Sequence, residues 1–306
     1  MPPPKLYPPA MIIVTDERCT DYHREGHPER PSRIADTLRL LRKQTGVPLQ
    51  WSEPDPVSDE QILRAHRPAM LDWIRSSRED FDGDTPWHPE IAEHALRSVG
   101  GAVAAQRLSL AGNPALSLFR PPGHHATDTQ PMGFCYLNSM AIAALEASTS
   151  GGKRAVAVFD FDVHHGNGTE DILLGRPGMG FFSVHQSPCY PGTGLGDRGT
   201  NCFNHTVRPG VPRKEYVRTL QSALDQLREW KPDLVGVSAG FDAYARDPLA
   251  QGTLEAEDYH WLGTQFRSLG VPIFSVLEGG YSSDLPELVL AYVKGLEAGT
   301  EDRARR

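Results

Sequence analysis

The sequence predicts an α/β domain built on a parallel sheet with helices on both faces. Three observations carry that prediction. Short β-branched apolar runs alternate with longer segments of helical spacing. Several of the apolar runs end in polar clusters, and open α/β sheets gather their ligands at the carboxyl ends of strands. The chain has 306 residues, 39% hydrophobic and 23% charged, which supplies the core of one large domain. No internal repeat or low-complexity linker interrupts the alternation. A single domain is therefore expected over residues 11–298, between a Pro-rich lead at 1–10 and a charged tail at 299–306.

In chain order, Met11 to Thr15 reads as a strand. Pro28 to Lys43 has helical spacing at Ile34, Leu38 and Leu41, with Pro31 in its first turn. Ser58 to Ala65 and Pro68 to Ser76 read as two short helices, and Asp82 to Pro86 as a loop. His88 to Leu110 is a longer helix with Ala92, Leu96, Val99 and Val103 on its inner side. Ala115 to Phe119 is a strand, and Gly133 to Ala147 is helical and rich in alanine. The run before Phe159, with Val156 and Val158, is the central strand, and Glu170 to Leu174 a short helix. Strands follow at Met179 to Val184, Phe203 to Val207, Leu234 to Ser238 and Pro272 to Leu277. The remaining helices are Arg213 to Trp230, Leu254 to Leu269 and Leu285 to Leu296.

Charge and cysteine usage narrow the class. A net charge of -8 argues against a general nucleic-acid or membrane-surface binder and is compatible with a cationic substrate. Cys19, Cys135, Cys189 and Cys202 form no CxxC pair, as expected of reduced thiols in a cytoplasmic protein. No apolar run reaches transmembrane length, and no charged-then-apolar signal opens the chain.

The chemistry is concentrated at strand ends. The central strand runs into Phe159-Asp160-Phe161-Asp162-Val163-His164-His165-Gly166-Asn167-Gly168-Thr169. In extended backbone Asp160, Asp162 and His164 point one way. Carboxylate and imidazole are ligand types of a catalytic zinc site, and such groups are costly to bury unless paired or metal-bound. Other strands end at His124-His125, at Asp242 and at Tyr281 after two glycines. A shared crevice at the sheet's carboxyl edge would bring these clusters together.

Arg120 to Ala126 (RPPGHHA), Gly133 to Asn138 (GFCYLN), Asp160 to Thr169, Ser238 to Ala243 (SAGFDA) and Leu277 to Tyr281 (LEGGY) resemble the motifs of the zinc-dependent histone deacetylase superfamily. That superfamily includes acetylpolyamine amidohydrolases and acetoin-utilisation proteins. The resemblance runs from about Met11 to Ala298. His27 to Arg33, Asp82 to Pro86, and Asn167 where class I enzymes carry aspartate, are similar to class II. It implies a single-domain arginase/deacetylase-like fold with a mainly parallel, eight-stranded sheet.

The resemblance also implies roles. Asp162, His164 and Asp242 match the zinc ligands, and three protein ligands leave an open position for catalysis. His124 and His125 match the paired catalytic histidines, one backed by Asp160 and the other by Asn167. His125 is the expected general base and acid, with His124 its electrostatic partner. An aspartate partner raises imidazole basicity, whereas an asparagine amide only orients the ring. Tyr281 matches the phenol that donates to the oxyanion, and the glycines before it permit its turn. Phe134 and Tyr190 match the aromatic walls of an acyl-lysine tunnel, with tyrosine in place of the usual phenylalanine. Gly133 matches a carbonyl acceptor for the substrate amide, Asp84 a rim carboxylate, and Arg33 an arginine near an acetate-release channel. Ser183, with the backbone carbonyls of Asp160, Asp162, His164 and Val184, matches a potassium site.

The resulting expectation is a deacetylase: a zinc-dependent hydrolase acting on the linear amide of an acylated lysine in a peptide or protein. An acetylated polyamine is the alternative substrate. A pseudoenzyme that binds acylated partners without turnover is disfavoured by Tyr281, His124 and His125. A binuclear manganese hydrolase of the same fold would need a second ligand set, for which Asp160 and His165 are the only spare candidates.

Overall fold

A computed structural model describes residues 11–150 and 152–303, with the backbone alone from 298 onward. The Pro-rich lead expected over residues 1–10 lies outside the described residues, as do residues 304–306 of the expected tail.

In chain order the elements are β1 (Met11–Val14), α1 (Ser32–Lys43), β2 (Leu49–Ser52), α2 (Asp59–Ile62), α3 (Pro68–Ser76) and α4 (Ile91–Leu110). Then follow β3 (Ala115–Ser117), α5 (Ser139–Thr149), β4 (Val156–Asp160), α6 (Asn167–Leu173), β5 (Met179–Gln186) and β6 (Cys202–Val207). The chain continues through α7 (Arg213–Trp230), β7 (Leu234–Ala239), α8 (Ala256–Ser268), β8 (Ile273–Leu277) and α9 (Leu285–Arg303).

The strands form one eight-stranded sheet in the order β2-β1-β3-β8-β7-β4-β5-β6, with every pairing parallel. The central strands are covered on both sides. Every residue of β4, β5, β7 and β8 is buried, which is why they read as unbroken apolar runs rather than alternating ones. Helix α4 packs on β1, β3 and β8, α5 on β4 and β7, and α7 on β5 and β6, while α1 packs against the α8–α9 pair through α9. Among the described residues, no helix is long and apolar enough to cross a membrane.

Differences from the expected elements have local causes. The α5 helix starts at Ser139 rather than Gly133, because Gly133 and Phe134 have φ of 57° and 69° and Asn138 caps the Ala141 N–H at 2.9 Å. Likewise α4 starts at Ile91 because Glu90 is left-handed, φ 59°. Helix α2 is capped by a reciprocal Ser58–Gln61 box. The edge strand β2 went unread: its four residues are half-buried or exposed and carry no apolar run. Helix α9 continues to Arg303, past the expected end at Leu296.

One buried ion cluster ties the chain's start to the loop after β3. Arg120 is fully buried and donates to Glu29 Oε1 at 2.6 Å and Oε2 at 2.7 Å, and to the carbonyls of Cys19 and Tyr22. Tyr22 lies beneath the guanidinium, 4.0 Å from its carbon. Arg33 donates to the same carboxylate at 3.2 Å. Burial raises the Glu29 pKa, but Arg120 and then Arg33 outweigh it and lower the carboxyl to about 2. A folded value below the unfolded value of 4.5 means the charged form stabilises the fold above pH 4.5, by about 3 kcal/mol, and that this is lost as pH falls toward 2.

Glu29→Gln should therefore destabilise the protein most at neutral pH, by about 3–5 kcal/mol, since it leaves buried guanidinium charge uncompensated. The gap between variant and parent in urea midpoint should narrow as pH is lowered from 6 to 3. A gap independent of pH would show that Glu29 does not titrate within this cluster.

Candidate active site and metal centre

Strands β3, β8, β7 and β4 are neighbours at the middle of the sheet. Their carboxyl ends lead into His124-His125, Glu278 to Tyr281, Asp242, and Asp160 to His165. Adjacency in the sheet turns four distant sequence clusters into one site.

Asp162, His164 and Asp242 each offer a ligand atom, and these atoms all lie within 4.8 Å of one another. His164 Nδ1 is 3.1 Å from Asp162 Oδ1 and 3.1 Å from Asp242 Oδ2. Ligands bound 2.0–2.1 Å from a tetrahedral ion stand roughly 3.3 Å apart, so the spacing fits a metal ion. The electrostatics ask for a cation as well. Burial raises the Asp242 carboxyl, the neighbouring Asp162 raises it further, and it stands at about 7. Burial lowers His164, but Asp242 and Asp162 outweigh it and raise its pKa, so the carboxylates favour positive charge at this point. Backbone donors hold the carboxylates in place: Gly279 N to Asp162 Oδ2 at 2.7 Å, and Val163 N to Asp242 Oδ1 at 2.9 Å. Gly279 has to be glycine here, since a Cβ would strike both the Asp242 and Asp162 carboxylates.

His124 and His125 lie 4.0 Å apart between ring centroids with their planes tilted by 41°, yet their partners differ. His124 Nδ1 is 3.0 Å from Asp160 Oδ2, while Asn167 Oδ1 accepts from His125 Nδ1 at 2.8 Å. Burial lowers His124, but Asp162 and Asp160 outweigh it and raise it to about 10. Burial, with the charges of His124 and His164, holds His125 well below its usual value. His125 is thus neutral, with Nδ1–H committed to Asn167 and Nε2 left to accept.

His124, His125 and His164 line a pocket of about 190 Å³, with Phe134, Tyr190 and Tyr281 as aromatic walls and Gly133, Pro122, Asp84 and Leu249 around them. Larger surface grooves exist, such as that beside Arg39 and Arg42, but among the described residues they bring together no cluster of three metal-ligating side chains. Tyr281 packs edge-on against Phe134 at 5.7 Å, and Tyr190 edge-on against His125 at 5.0 Å. Phe134 is held in its left-handed conformation partly by its N–H donating to Thr85 Oγ1 at 3.2 Å. Asp84 stands at the mouth, its carbonyl 3.3 Å from His27 Nε2.

Three further expected residues lie outside the pocket lining. Arg33 does not line the pocket. It is buried behind Tyr281, its guanidinium carbon 4.7 Å from the ring centroid, and it donates to the carbonyls of Gly280, at 2.7 Å, and Glu278. Ser183 and Val184 are buried in β5, where Ser183 pairs with Asp160 and its Oγ is 2.8 Å from His185 Nδ1. Neither the Asp162 nor the His164 carbonyl accepts a hydrogen bond from the described residues.

Sequence reasoning passed over Glu278, Asp247 and Leu249. Glu278 Oε2 accepts from Gly123 N at 2.8 Å and His124 N at 3.1 Å, so it holds the histidine loop. Asp247 accepts from Tyr281 N at 2.7 Å. The signal for Glu278 was its place beside the Gly279-Gly280 turn. Asp247 and Leu249 sit in a loop with no pattern of its own.

The model of the histone deacetylase domain matches residues 27–296. A probable deacetylase of Methanothermobacter thermautotrophicus is 35% identical over 301 residues, covering 94% of this chain and 91% of the relative. A histone deacetylase-like amidohydrolase of Pseudomonas aeruginosa is 36% identical over 281 residues, covering 84% and 73%. The crystal structure of an acetylpolyamine aminohydrolase from Burkholderia pseudomallei superimposes with a TM-score of 0.86 at 26% identity, covering 94% of this chain and 99% of the other. With its motifs converging on one pocket and the domain match spanning nearly all of the sheet, this chain belongs to the histone deacetylase family.

Proposed function

We propose that the chain is a zinc-dependent amidohydrolase that removes acetyl or another acyl group from an amine, with the acetyl-lysine side chain as its main substrate class. The observation that carries this is the Asp162–His164–Asp242 group at a pocket whose walls are aromatic and which His125 faces with a free Nε2. The catalytic domain proposed to hold it spans residues 11–298.

Asp162, His164 and Asp242 would hold the zinc, which would supply Lewis acidity for the amide carbonyl and the attacking water. His125 Nε2 takes the proton of that water, since Asn167 fixes the hydrogen on Nδ1. His124, charged beside Asp160, offsets the negative charge that develops nearby. Tyr281 donates its phenol hydrogen to the forming oxyanion. His125 then returns the proton to the leaving nitrogen as the C–N bond breaks, giving a carboxylate and an amine. Phe134 and Tyr190 flank the methylene chain and exclude water. The Gly133 carbonyl accepts the substrate amide N–H, and Asp84 accepts from the substrate backbone at the rim. Ser183 with the carbonyls of Asp160, Asp162, His164 and Val184 would hold a potassium ion beneath the Asp160 to His165 stretch.

An acetylated polyamine is the second reading. Asp84 lines the mouth, and burial, then Cys135, then the carboxylates of Asp82 and Asp84 raise the Tyr190 pKa, so carboxylates stand near where a cationic amine would enter. Turnover of an acetyl-lysine peptide and a monoacetylated polyamine, measured side by side, decides between them.

Asp162→Ala, His164→Ala and Asp242→Ala should each lose bound zinc and turnover together. Full zinc in any of them removes that residue from the ligand set. Potassium chloride should raise the melting temperature above that in tetramethylammonium chloride of equal strength, and equal melting temperatures would dispose of the potassium site.

Tyr281→Phe should keep its zinc and lower kcat by roughly 10²–10³-fold, the scale for one oxyanion donor. Unimpaired turnover would leave Tyr281 a packing residue.

Asn167→Asp should move the acid limb of the kcat/KM profile to higher pH. A carboxylate behind His125 favours the protonated ring, so the base becomes neutral only at higher pH. An unmoved limb would show that Asn167 does not back the base.

A further inference from the structure

We propose that Asp247 is a positioning residue for Tyr281: its carboxylate fixes the peptide groups that aim the phenol, and ties them to the loop that carries Asp242. The proposal rests on the reading of Tyr281 as oxyanion donor.

The Tyr281 phenol makes no hydrogen bond to a described residue, so its place is set by the backbone that presents it and the rings and guanidinium around it. That backbone leaves β8 through Gly279 and Gly280, and Gly280 has a φ of 117°, a conformation in which the chain has little intrinsic preference of its own. External contacts must therefore fix it. On one side Gly279 N donates to Asp162, and Arg33 donates to the Gly280 carbonyl. On the other side Asp247 Oδ2 accepts from Tyr281 N at 2.7 Å and from Ser282 N at 3.1 Å.

Asp247 is 7% exposed and does not line the pocket. Its second oxygen accepts from Leu249 N at 3.0 Å, and its own N–H donates to the Tyr244 carbonyl at 3.0 Å. A local turn cap would use both oxygens on near neighbours. Here one oxygen reaches across 34 residues to the Tyr281 turn, and the other shapes the segment that sets Leu249 at the pocket mouth. One carboxylate thus joins the loop of Asp242, the rim and the phenol. The two segments have further ties, Tyr244 Oη to Asp284 Oδ2 at 2.8 Å and Arg246 Nε to Asp284 Oδ2 at 3.2 Å, so losing Asp247's bonds loosens the turn without parting the loops.

Asp247→Asn is the test. Its amide has one acceptor where the carboxylate has two, so it cannot serve both segments. The variant should keep its zinc and its KM, lose about 10²-fold in kcat, and exchange amide hydrogens faster in a peptide spanning 278–284. In a Tyr281→Phe background the same substitution should cost little more, because the two act through one phenol. Independent, multiplying losses would overturn the proposal, as would full activity in Asp247→Asn. Full activity of Tyr281→Phe would sink the oxyanion reading instead, while the exchange result would still report on the hydrogen bonds. Asp247→Glu, which keeps both acceptors but displaces them, gives a second variant with the same expected non-additive loss. Loss of zinc in both would show that Asp247 builds the metal loop rather than placing Tyr281.

Discussion

Buried negative charge is the constraint on which the rest of the structure depends. Asp160, Asp162, Asp242 and Glu278 have no exposed surface, and all stand at the carboxyl ends of adjacent strands. Each such charge costs several kcal/mol to bury unless it is met by hydrogen bonds or opposite charge. The protein meets it largely with backbone N–H groups: those of Asp162, Val163, His164, Gly279, Gly123 and His124 all donate to these carboxylates. Because the donors belong to the main chain, the loops can satisfy the charges in one arrangement only, and that arrangement is the site.

The same constraint divides two chemically identical side chains. His124 and His125 are neighbours in sequence and in space, yet one faces an aspartate and the other an asparagine amide. Asp162 and then Asp160 raise His124, and its charge, with that of His164, adds to burial in holding His125 low. The two rings titrate apart because one faces buried carboxylates and the other an amide beside positive charge.

Much of this was legible in the sequence. The central strands were readable because burial on both faces makes them largely apolar, and the grouping of Asp162, His164 and Asp242 because these residue types recur at strand ends. What escaped shares a physical cause. Strand β2 is an edge strand with half its residues in water, so burial writes no pattern on it. The Gly133–Phe134 turn reads as helix by composition, and only its positive φ values and the Asn138 cap exclude that. The motif places Arg33 near the site, and the direction of its guanidinium, behind Tyr281 rather than in the pocket lining, is a side-chain detail that no motif records. Asp247 acts across 34 residues through main-chain hydrogen bonds, and such contacts leave no trace in local sequence.

The anchoring of these loops by backbone has a consequence for how the protein can diversify. Gly279 has no room for a single methyl group beside Asp242 and Asp162, so the interior of the site tolerates no drift. Tyr190 and Leu249 are different: 37% and 38% exposed, they project into the pocket mouth from loops whose shape is set by other residues. Replacing such half-exposed side chains costs a protein about 0.5 kcal/mol or less. The reacting centre and the choice of substrate are thus inherited separately: a lineage can exchange its preferred amine at the rim while leaving the hydrolytic apparatus beneath it untouched.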